Sequence, residues 1–411
     1  MPSNVLVSAF ACGPNWGSEI GMAWNWVINL AQYCQLTVIT EKGFQKDIET
    51  VLPSLKLKYQ PKFHFIDIGE AARQRFWNQG DWRFYSDYRK WQWQAYQLAE
   101  TLIKGEKFDL VHQLNMIGYR EPGFLWKLPL PFIWGPIGGH AQMPWKFIPS
   151  LGWNSGFQYV LRNALNWIQM RTSVRVKKAI QRARILIAAT GADQRAIKQV
   201  HGREAILINE TGTYPNESHR TCINWDKKRP LKLIWCGKFI ALKELPIALH
   251  AIAQVFTKIN IELHIVGTGS LDKKWKCLAI KLNIGKFCHW HGHCPHDKAL
   301  EIMASCDAML FTSVQEGTPH VILEALGFGL PVICHDSCGH GEAVNEYSGI
   351  KIPVVSPSYS ISEFAKVLIE IDKTPNILNQ LSIGAIKRAD ELSWNNKAAI
   401  MHDLYHKMLA N

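Results

Sequence analysis

Two glutamates stand eight residues apart in the run EGTPHVILEALGFGLP, at Glu316 and Glu324. Carboxylates accept hydrogen bonds from ligand hydroxyl groups, and apolar residues at helical spacing predict a helix that carries the second glutamate. With Glu316 in the loop before this helix, both carboxylates can face one pocket. The helix start also attracts an anion, because its N–H groups and dipole present positive charge. The alternative is that both glutamates lie on a solvated helix face.

The elements around this run place it at the end of a buried strand. The segment MLFTS, residues 309–313, predicts a strand, Thr318 predicts the helix N-cap, and Pro319 suits the first helical position. Gly329 takes the place of a left-handed C-cap, and Pro331 begins the next strand, PVIC. The glutamates therefore lie at the carboxyl ends of parallel strands, where open α/β sheets bind ligands.

A second group of candidate residues follows two earlier strands. The segment LKLIWC predicts a strand that leads into Gly237 and Lys238, and Lys243 lies on or just before the next helix. The following strand, IELHIV, runs into a turn with Gly267 and Gly269. Glycine lets the backbone approach a ligand closely, and lysine supplies a positive charge. Two solvated lysines are the alternative.

Together these residues resemble a known family. Two glutamates at this spacing, followed by Gly-Leu-Pro-Val, are similar to the donor-site motif of the retaining glycosyltransferases of family 4, which have the GT-B fold. The lysine loop and the Gly-x-Gly turn extend the resemblance, although Lys238 stands where the family usually has arginine. The resemblance is strong over 230–411 and loose over 1–210.

The resemblance implies a nucleotide-diphosphate sugar donor, with Lys238 and Lys243 holding the diphosphate. It implies that Glu324 binds ribose hydroxyls and that Glu316 binds the transferred sugar. Glu316, Lys243 and Lys238 are the predicted catalytic residues. The predicted donor-binding residues are Gly17, Gly237, Lys238, Lys243, Gly267, Gly269, Glu316, Gly317, Thr318, Pro319, His320 and Glu324.

Polar residues after the strands of the first half predict the acceptor side. DLVH is followed by polar residues, and PFIWG by a glycine-rich loop, residues 135–140. Family 4 often carries a histidine just after the latter strand, and this chain has glycine and proline there. His112 or His140 could substitute, although a lone histidine more often has a structural role. The predicted acceptor-binding residues are Glu19, His112, Asn115, Arg120, Gly138, Gly139, His140 and Glu210.

Two of these residues depend on comparison with the family. Glu19 follows the first strand, in the loop that lines the site in family 4; a plain connection between strand and helix is the alternative. Glu210 lies in AILINETGT, where the family usually has Asn-Gly-Val-Asp and this chain keeps only Asn209. This departure suggests that Glu210 contacts substrate.

The implied reaction moves the sugar to an acceptor hydroxyl with retention of its anomeric configuration. The acceptor is a glycan, a lipid-linked molecule or a small molecule. Attack on the face of the departing phosphate needs no strong general base. No metal or cofactor is expected, because the lysines and the helix start supply positive charge and the chain has no Asp-x-Asp. The alternatives are a nucleotide-sugar epimerase on this fold and a non-catalytic protein that binds sugar nucleotides or membranes.

Length and composition suit two domains. The 411 residues, 47% of them apolar, predict two Rossmann-like, doubly wound α/β domains that face each other across a cleft. The boundaries expected are an acceptor domain at 1–212, a linker at 213–230 and a donor domain at 231–394. A terminal helix, 395–411, is expected to pack back on the first domain.

Charge and cysteine content indicate partners and location. Residues 1–224 carry 26 Lys and Arg against 16 Asp and Glu, so they hold +10 of the net charge of +12. This asymmetry suits an anionic membrane surface or an anionic acceptor, and the absence of nucleic-acid-binding motifs argues against nucleic acid. Ten scattered cysteines without a recognisable secretory signal predict a cytoplasmic protein. Peripheral association with a membrane is a further hypothesis.

Three segments have unusual compositions. Residues 73–104 and 145–184 mix aromatic and basic side chains, which suits a lipid interface or stacking on sugar rings; packing on their own domain is the alternative. The run CHWHGHCPH, residues 288–296, holds six possible zinc ligands. An extended strand sends alternate side chains to opposite faces, so no metal site is predicted within this run.

Overall fold

The computed structural model describes residues 2–78, 81–214 and 222–410. Within them the chain forms two compact units. The first unit consists of the chain up to His140, Trp167–Thr211 and the chain from Trp394. The second consists of Ala141–Asn166 and Gly212–Ser393. Residues 215–221 of the predicted linker lie outside the described residues.

The first unit is built on a parallel sheet of seven strands. Its strands are β1 (Asn4–Ala9), β2 (Gln35–Glu41), β3 (Lys62–Ile66), β4 (Leu110–Asn115), β5 (Phe132–Ile137), β6 (Ile185–Ala188) and β7 (Ile206–Leu207). The strand order is β3-β2-β1-β4-β5-β6-β7, with the reversal of a doubly wound sheet next to β1. The apolar run of β1 is buried throughout the strand centre, as expected for a strand covered on both faces.

Helices connect these strands. They are α1 (Ser18–Leu30), α2 (Gln45–Val51), α3 (Glu70–Trp77), α4 (Phe84–Gly105), α5 (Trp153–Thr172), α6 (Val174–Arg182) and α7 (Gly191–His201). The division between the units passes through α5. The first aromatic and basic segment, residues 73–104, packs on its own unit through the start of α4. There Phe84, Tyr88 and Trp91 surround the Phe10 ring, with centroids 4.9 to 5.8 Å away.

The second unit repeats the plan with six parallel strands. They are β8 (Leu231–Cys236), β9 (Ile261–Val266), β10 (Cys288–Gly292), β11 (Ala308–Phe311), β12 (Val332–His335) and β13 (Gly349–Ile352). Their order is β10-β9-β8-β11-β12-β13, again with the reversal next to the first strand. The helices are α8 (Leu245–Val255), α9 (Asp272–Lys281), α10 (His296–Ala304), α11 (His320–Gly327), α12 (Cys338–Ala343), α13 (Pro357–Lys373) and α14 (Asn376–Glu391).

The last helix, α15 (Trp394–Ala410), belongs to the first unit. Its buried side chains Trp394, Met401 and Tyr405 join the hydrophobic core of that unit. The Tyr405 hydroxyl lies 2.7 Å from His112 Nδ1, so a polar contact accompanies the apolar packing. The C-terminal segment therefore completes the core that the N-terminal strands begin.

The start of α11 differs from the prediction. α11 begins at His320 with Pro319 as its N-cap, because the Pro319 backbone is extended and its carbonyl accepts the first bond, from Ile322 N–H at 3.1 Å. Thr318 is thus outside the cap position. α1 begins at Ser18, with Gly17 as its N-cap. Gly329 does adopt the predicted left-handed conformation after α11, with φ of 72°.

Candidate functional site

An ion pair joins two loops at the carboxyl ends of β8 and β11. Lys243 Nζ lies 2.5 Å from Glu316 Oε1, and the two side chains are 15% and 20% exposed. The Ser313 hydroxyl donates to the same carboxylate oxygen at 2.8 Å, which fixes its orientation. The Thr312 hydroxyl donates to the Lys243 carbonyl at 2.9 Å. The structure therefore brings together the predicted lysine and glutamate, and Ser313 is a contributor that the sequence did not single out.

Glycines allow the neighbouring loops to pack backbone against backbone. A Cβ atom on Gly267, whose φ is 136°, would lie 1.9 Å from the Gly237 carbonyl oxygen. A Cβ on Gly269 would lie 2.6 Å from the Phe239 carbonyl oxygen. The Gly237 N–H donates to Val266 O at 3.0 Å, which closes the contact between the loops. Lys238 lies on this loop and is exposed.

Glu324, on α11, lies near the end of β8. Burial raises the pKa of Glu324, and His296 opposes this shift, with its Nε2 3.9 Å from Glu324 Oε1. The pKa of the Cys236 thiol, at the end of β8, is affected by the charges of both Glu324 and Lys243. Burial raises its pKa to about 12, the Glu324 carboxylate adds to this shift, and Lys243 acts against it. Glu324 and Lys243 therefore lie near the same strand end.

The loop before α11 is held by the next helix. A Cβ on Gly339 would lie 2.5 Å from both the Gly317 carbonyl oxygen and the Thr318 hydroxyl oxygen, so only glycine permits this approach. Burial lowers the pKa of His320, at the start of α11, with His296 as a smaller cause. The predicted residues from Gly317 to His320 thus form a fixed turn that begins with the Glu316 carboxylate and ends at the helix start.

His340 is a buried residue of this region that the sequence analysis did not single out. Its ring centroid lies 5.2 Å from that of Phe311, and Lys243 Nζ lies 5.3 Å from the Phe311 centroid. Neither ring nitrogen of His340 has a hydrogen-bond partner within the described part of the chain. Burial lowers its pKa well below the usual value, and His335 and Lys243 add to the shift. A neutral imidazole therefore lies near the lysine.

In the first unit, the structure places Glu19 close to Glu210. The Ile117 N–H donates to Glu19 Oε1 at 3.0 Å. Burial raises the pKa of Glu19, the Ile117 bond lowers it, and the Glu210 charge raises it. The Gly138 N–H donates to the Ile117 carbonyl at 2.8 Å, so the predicted glycine loop supports the same region. Two predicted acceptor carboxylates and one predicted glycine thus lie together.

His112 and Asn115 are buried side chains of the first unit, and both are hydrogen-bonded there. His112 is fully buried, with Nδ1 2.7 Å from the Tyr405 hydroxyl and Nε2 2.6 Å from the Gly135 carbonyl oxygen. Asn115 is also fully buried, and its amide donates to the Ala11 carbonyl at 2.7 Å. These bonds show that both residues support the neighbouring loops. Contact of either residue with an acceptor stays a prediction.

His140 has a carboxylate partner. Its Nδ1 lies 2.9 Å from Asp193 Oδ1, and its ring stacks on Tyr119 with centroids 4.2 Å apart. The Arg120 guanidinium lies 4.9 Å from the centroid of the same tyrosine. Gly139, with φ of 91°, precedes His140, and a Cβ there would lie 3.7 Å from the Tyr119 ring. The sequence could not indicate Asp193, because it lies on α7, more than fifty residues after His140.

The comparisons with known proteins agree with this architecture. The family model described as Glycosyl transferases group 1 matches residues 221–388, which include the Lys243–Glu316 pair. The structure of Anabaena HepE in complex with UDP aligns with a TM-score of 0.61 and 13% sequence identity, over 98% of this chain and 100% of that one. The chain has the GT-B fold.

Two curated relatives match shorter stretches. The D-inositol 3-phosphate glycosyltransferase of Streptomyces bingchenggensis is 26% identical over 183 residues, covering 42% of this chain and 39% of that protein. The lipopolysaccharide 1,6-galactosyltransferase of Escherichia coli K12 is 34% identical over 108 residues, covering 26% of this chain and 29% of that protein. The matched region therefore spans well under half the length of either relative.

Glu244, next to Lys243, makes protein stability depend on pH, and this dependence tests the structure of the loop. Its side chain is buried and accepts a hydrogen bond from the Ser150 hydroxyl. Burial raises its pKa to about 7, while Ser150 and Lys274 lower it. The folded protein therefore holds this proton more tightly than the unfolded chain does. The resulting stabilisation is complete below the unfolded pKa of 4.5 and is lost as pH rises to about 7.

Replacing Glu244 with glutamine should therefore stabilise the protein more at pH 8 than at pH 5, by a difference on the order of 2 kcal/mol in the free energy of unfolding. Urea denaturation of Glu244→Gln and the native protein at both pH values measures this difference. The exposed Glu346→Gln serves as the control and should show no such change. An equal effect of Glu244→Gln at both pH values would contradict the assignment.

Proposed function

We propose that this protein is a retaining glycosyltransferase of the family 4 type, which transfers a sugar from a nucleotide-diphosphate sugar to an acceptor hydroxyl. The observation that carries the proposal is the Lys243–Glu316 ion pair at the carboxyl ends of β8 and β11, inside the segment matched by the family model. This placement is where open α/β sheets bind nucleotides. The UDP in the HepE complex makes UDP-sugars the first donors to test.

Each residue of the site has a proposed role. Lys243 and the exposed Lys238 neutralise the diphosphate, whose negative charge increases as the bond to the sugar breaks. The start of α11 contributes its dipole at the same strand ends. Glu324 accepts hydrogen bonds from ribose hydroxyls, and Glu316 accepts them from the transferred sugar while it holds Lys243 in place. The lysine is thus positioned before the donor arrives.

We propose that the acceptor hydroxyl attacks on the face from which the diphosphate departs. The diphosphate can then accept the hydroxyl proton, so the site needs no separate strong base. This route retains the anomeric configuration, and the cationic side chains take the charge-neutralising role of a metal ion. Proton NMR of the first product formed with a UDP-α-sugar should show an α linkage. Activity should persist after treatment with EDTA, and an initial β product would contradict the route.

Turnover by site variants tests the roles. Glu316→Gln should lower kcat about 10- to 100-fold, because it removes a charged hydrogen-bond acceptor and the partner of Lys243. The matched control is Glu301→Gln, since Glu301 also pairs with a lysine, Lys298, at 2.7 Å but on an exposed helix face. Transfer to an acceptor is measured by release of UDP. Unchanged transfer in Glu316→Gln would contradict the assignment.

The same assay separates the alternatives. Conversion of the donor sugar without any acceptor would indicate an epimerase. Donor binding without turnover across a broad acceptor panel would indicate a non-catalytic protein. A thermal-shift screen of nucleotide sugars identifies the donor before these assays, because a ligand that binds the folded state raises the melting temperature.

We further propose that the protein works at an anionic membrane surface through α5. Exposed apolar side chains recur every three or four residues along this helix: Trp153, Phe157, Val160, Leu161, Leu165 and Ile168. Trp153 is 96% exposed and Phe157 is 70% exposed. Folded proteins rarely leave such a continuous apolar stripe in water, and a helix of this kind inserts its apolar face at the lipid interface. No helix among the described residues is long and apolar enough to span the bilayer.

The positive charge around this apolar stripe favours an anionic lipid surface as its partner. Residues 145–184 contain eight Lys and Arg and no Asp or Glu. The exposed cations Arg162 and Arg171 lie on α5 itself, and Lys177 and Lys178 lie on α6. Basic side chains beside an apolar helix face gain attraction to anionic headgroups. A lipid-linked acceptor at such a surface, as for a lipopolysaccharide, suits this arrangement.

Vesicle binding tests the surface. The protein should sediment with phosphatidylglycerol vesicles, less with phosphatidylcholine vesicles, and less at high salt. The double variant Trp153→Ser/Phe157→Ser should bind at least about tenfold more weakly, because both side chains lose burial in the interface. Trp82 lies outside α5 and is 78% exposed, so Trp82→Ser is the control. This variant should bind the vesicles as the native protein does. Absence of salt-sensitive binding would remove the proposal.

A further inference from the structure

A cluster of histidines lies at the edge of the second sheet. β10 is the edge strand and runs parallel to β9, with His289 opposite His264 in the register. Successive side chains on a strand point to opposite faces, so Glu262 shares a face with His264, and His291 shares it with His289. The intervening residues of β9, Leu263 and Ile265, are buried in the hydrophobic core. Two neighbouring strands thus present four possible metal ligands on one side.

Three of these side chains converge on one point. The Nε2 atoms of His264 and His289 lie 3.7 Å and 3.9 Å from the same oxygen, Glu262 Oε2. One ligand atom from each of the three residues lies within 4.8 Å of the others. Two ligands of a tetrahedral zinc ion, at 2.0 to 2.1 Å each, are about 3.3 Å apart. Side-chain movements of about an ångström would therefore complete a His₂Glu set.

The hydrogen bonds of His264 favour a cation at this point. His264 Nδ1 lies 3.0 Å from His291 Nε2, whereas His264 Nε2 is buried without a hydrogen-bond partner within the described part of the chain. Buried polar atoms are rarely left unpaired. In the tautomer that donates from Nδ1 to His291 Nε2, His264 directs the Nε2 lone pair towards the Glu262 carboxylate. Two electron-rich groups that face each other across a few ångströms are stabilised by a cation between them.

We propose that Glu262, His264 and His289 bind one divalent ion of the zinc class, with His291 as the positioning residue. The set of two histidines and one carboxylate matches known zinc sites that keep a fourth position for water. A second group that accepts the N–H of a ligating histidine is usual in such sites and fixes the ring orientation. Side-chain exposures of 44% for His289 and 29% for Glu262 leave the site open to solvent.

The residues of the site are separate from the proposed donor-binding residues. The ion would join the edge strand to its neighbour, and transfer chemistry does not require it.

Metal titration of the 411-residue protein tests the proposal, with any affinity tag removed and residual metal stripped by a chelator. Competition with a chromogenic chelator should show one Zn²⁺ per chain. Glu262→Gln and His289→Gln should each weaken binding by about tenfold or more, and His291→Gln by about tenfold through loss of ring orientation. His293→Gln, from the same histidine-rich run, is the matched control and should bind like the native protein.

Two further measurements make the test decisive. Bound Co²⁺ should give visible absorption bands that are lost in His289→Gln and persist in His293→Gln. Zn²⁺ should raise the melting temperature of the native protein but not that of His289→Gln, whose metal-free melting temperature should be unchanged because the side chain is exposed. The proposal would be overturned if the protein did not bind one ion per chain. It would also be overturned if Glu262→Gln, His289→Gln and His291→Gln bound the ion as tightly as the native protein. Neither result bears on sugar transfer.

Discussion

The ion pair between Lys243 and Glu316 is the contact on which the proposed donor site depends. Two charges that are partly removed from water are stable only when they are paired and hydrogen-bonded. The 2.5 Å separation and the Ser313 hydroxyl meet this condition. The pair fastens the loop after β8 to the loop after β11, so the lysine is held at the strand ends. A diphosphate that arrives there meets a cation already in position, which reduces the reorganisation required in the transition state.

The rest of the second unit can be understood as support for this pair. The contact between Gly267 and the Gly237 carbonyl brings neighbouring loops closer than any side chain would allow. Phe311 contacts both Lys243 and the His340 ring, and burial keeps that imidazole neutral, so His340 adds no second positive charge near the lysine. The contact of Gly339 with Gly317 fixes the turn before α11. These contacts come from four separate segments, and the parallel sheet brings all of them to one edge.

Much of this arrangement was predictable from sequence, because strand ends and glycine turns are encoded locally. Long apolar runs indicated the strands, and the spacing of Glu316 and Glu324 indicated a shared strand end. The start of α11 was misplaced by one residue, since both Thr318 and Pro319 are plausible near a helix start and backbone geometry decides between them. His112 and Asn115 were predicted as acceptor contacts from their position after a strand, but the sequence could not show that His112 meets Tyr405 of α15, nearly three hundred residues away.

Long-range pairings account for most of what the sequence could not show. Asp193 meets His140 only because α7 packs beside the glycine loop. His264 and His289 form a cluster because their strands are neighbours in register, whereas the histidine run alone places alternate residues on opposite faces. The two aromatic and basic segments looked alike in sequence. The first surrounds Phe10, and the second leaves an exposed stripe on α5, a difference set by which face each helix buries.

The central claim is that Lys243 binds the diphosphate of the donor. Isothermal titration of UDP and of uridine into the native protein and Lys243→Met measures this directly, since the two ligands differ only in the diphosphate. In Lys243→Met, UDP affinity should fall by about tenfold or more, because a charged hydrogen bond is lost, while uridine affinity should be unchanged. The double variant Lys243→Met/Glu316→Gln should bind UDP as weakly as Lys243→Met does, because the cation is still missing. Equal losses for UDP and uridine, or no loss for UDP, would contradict the claim.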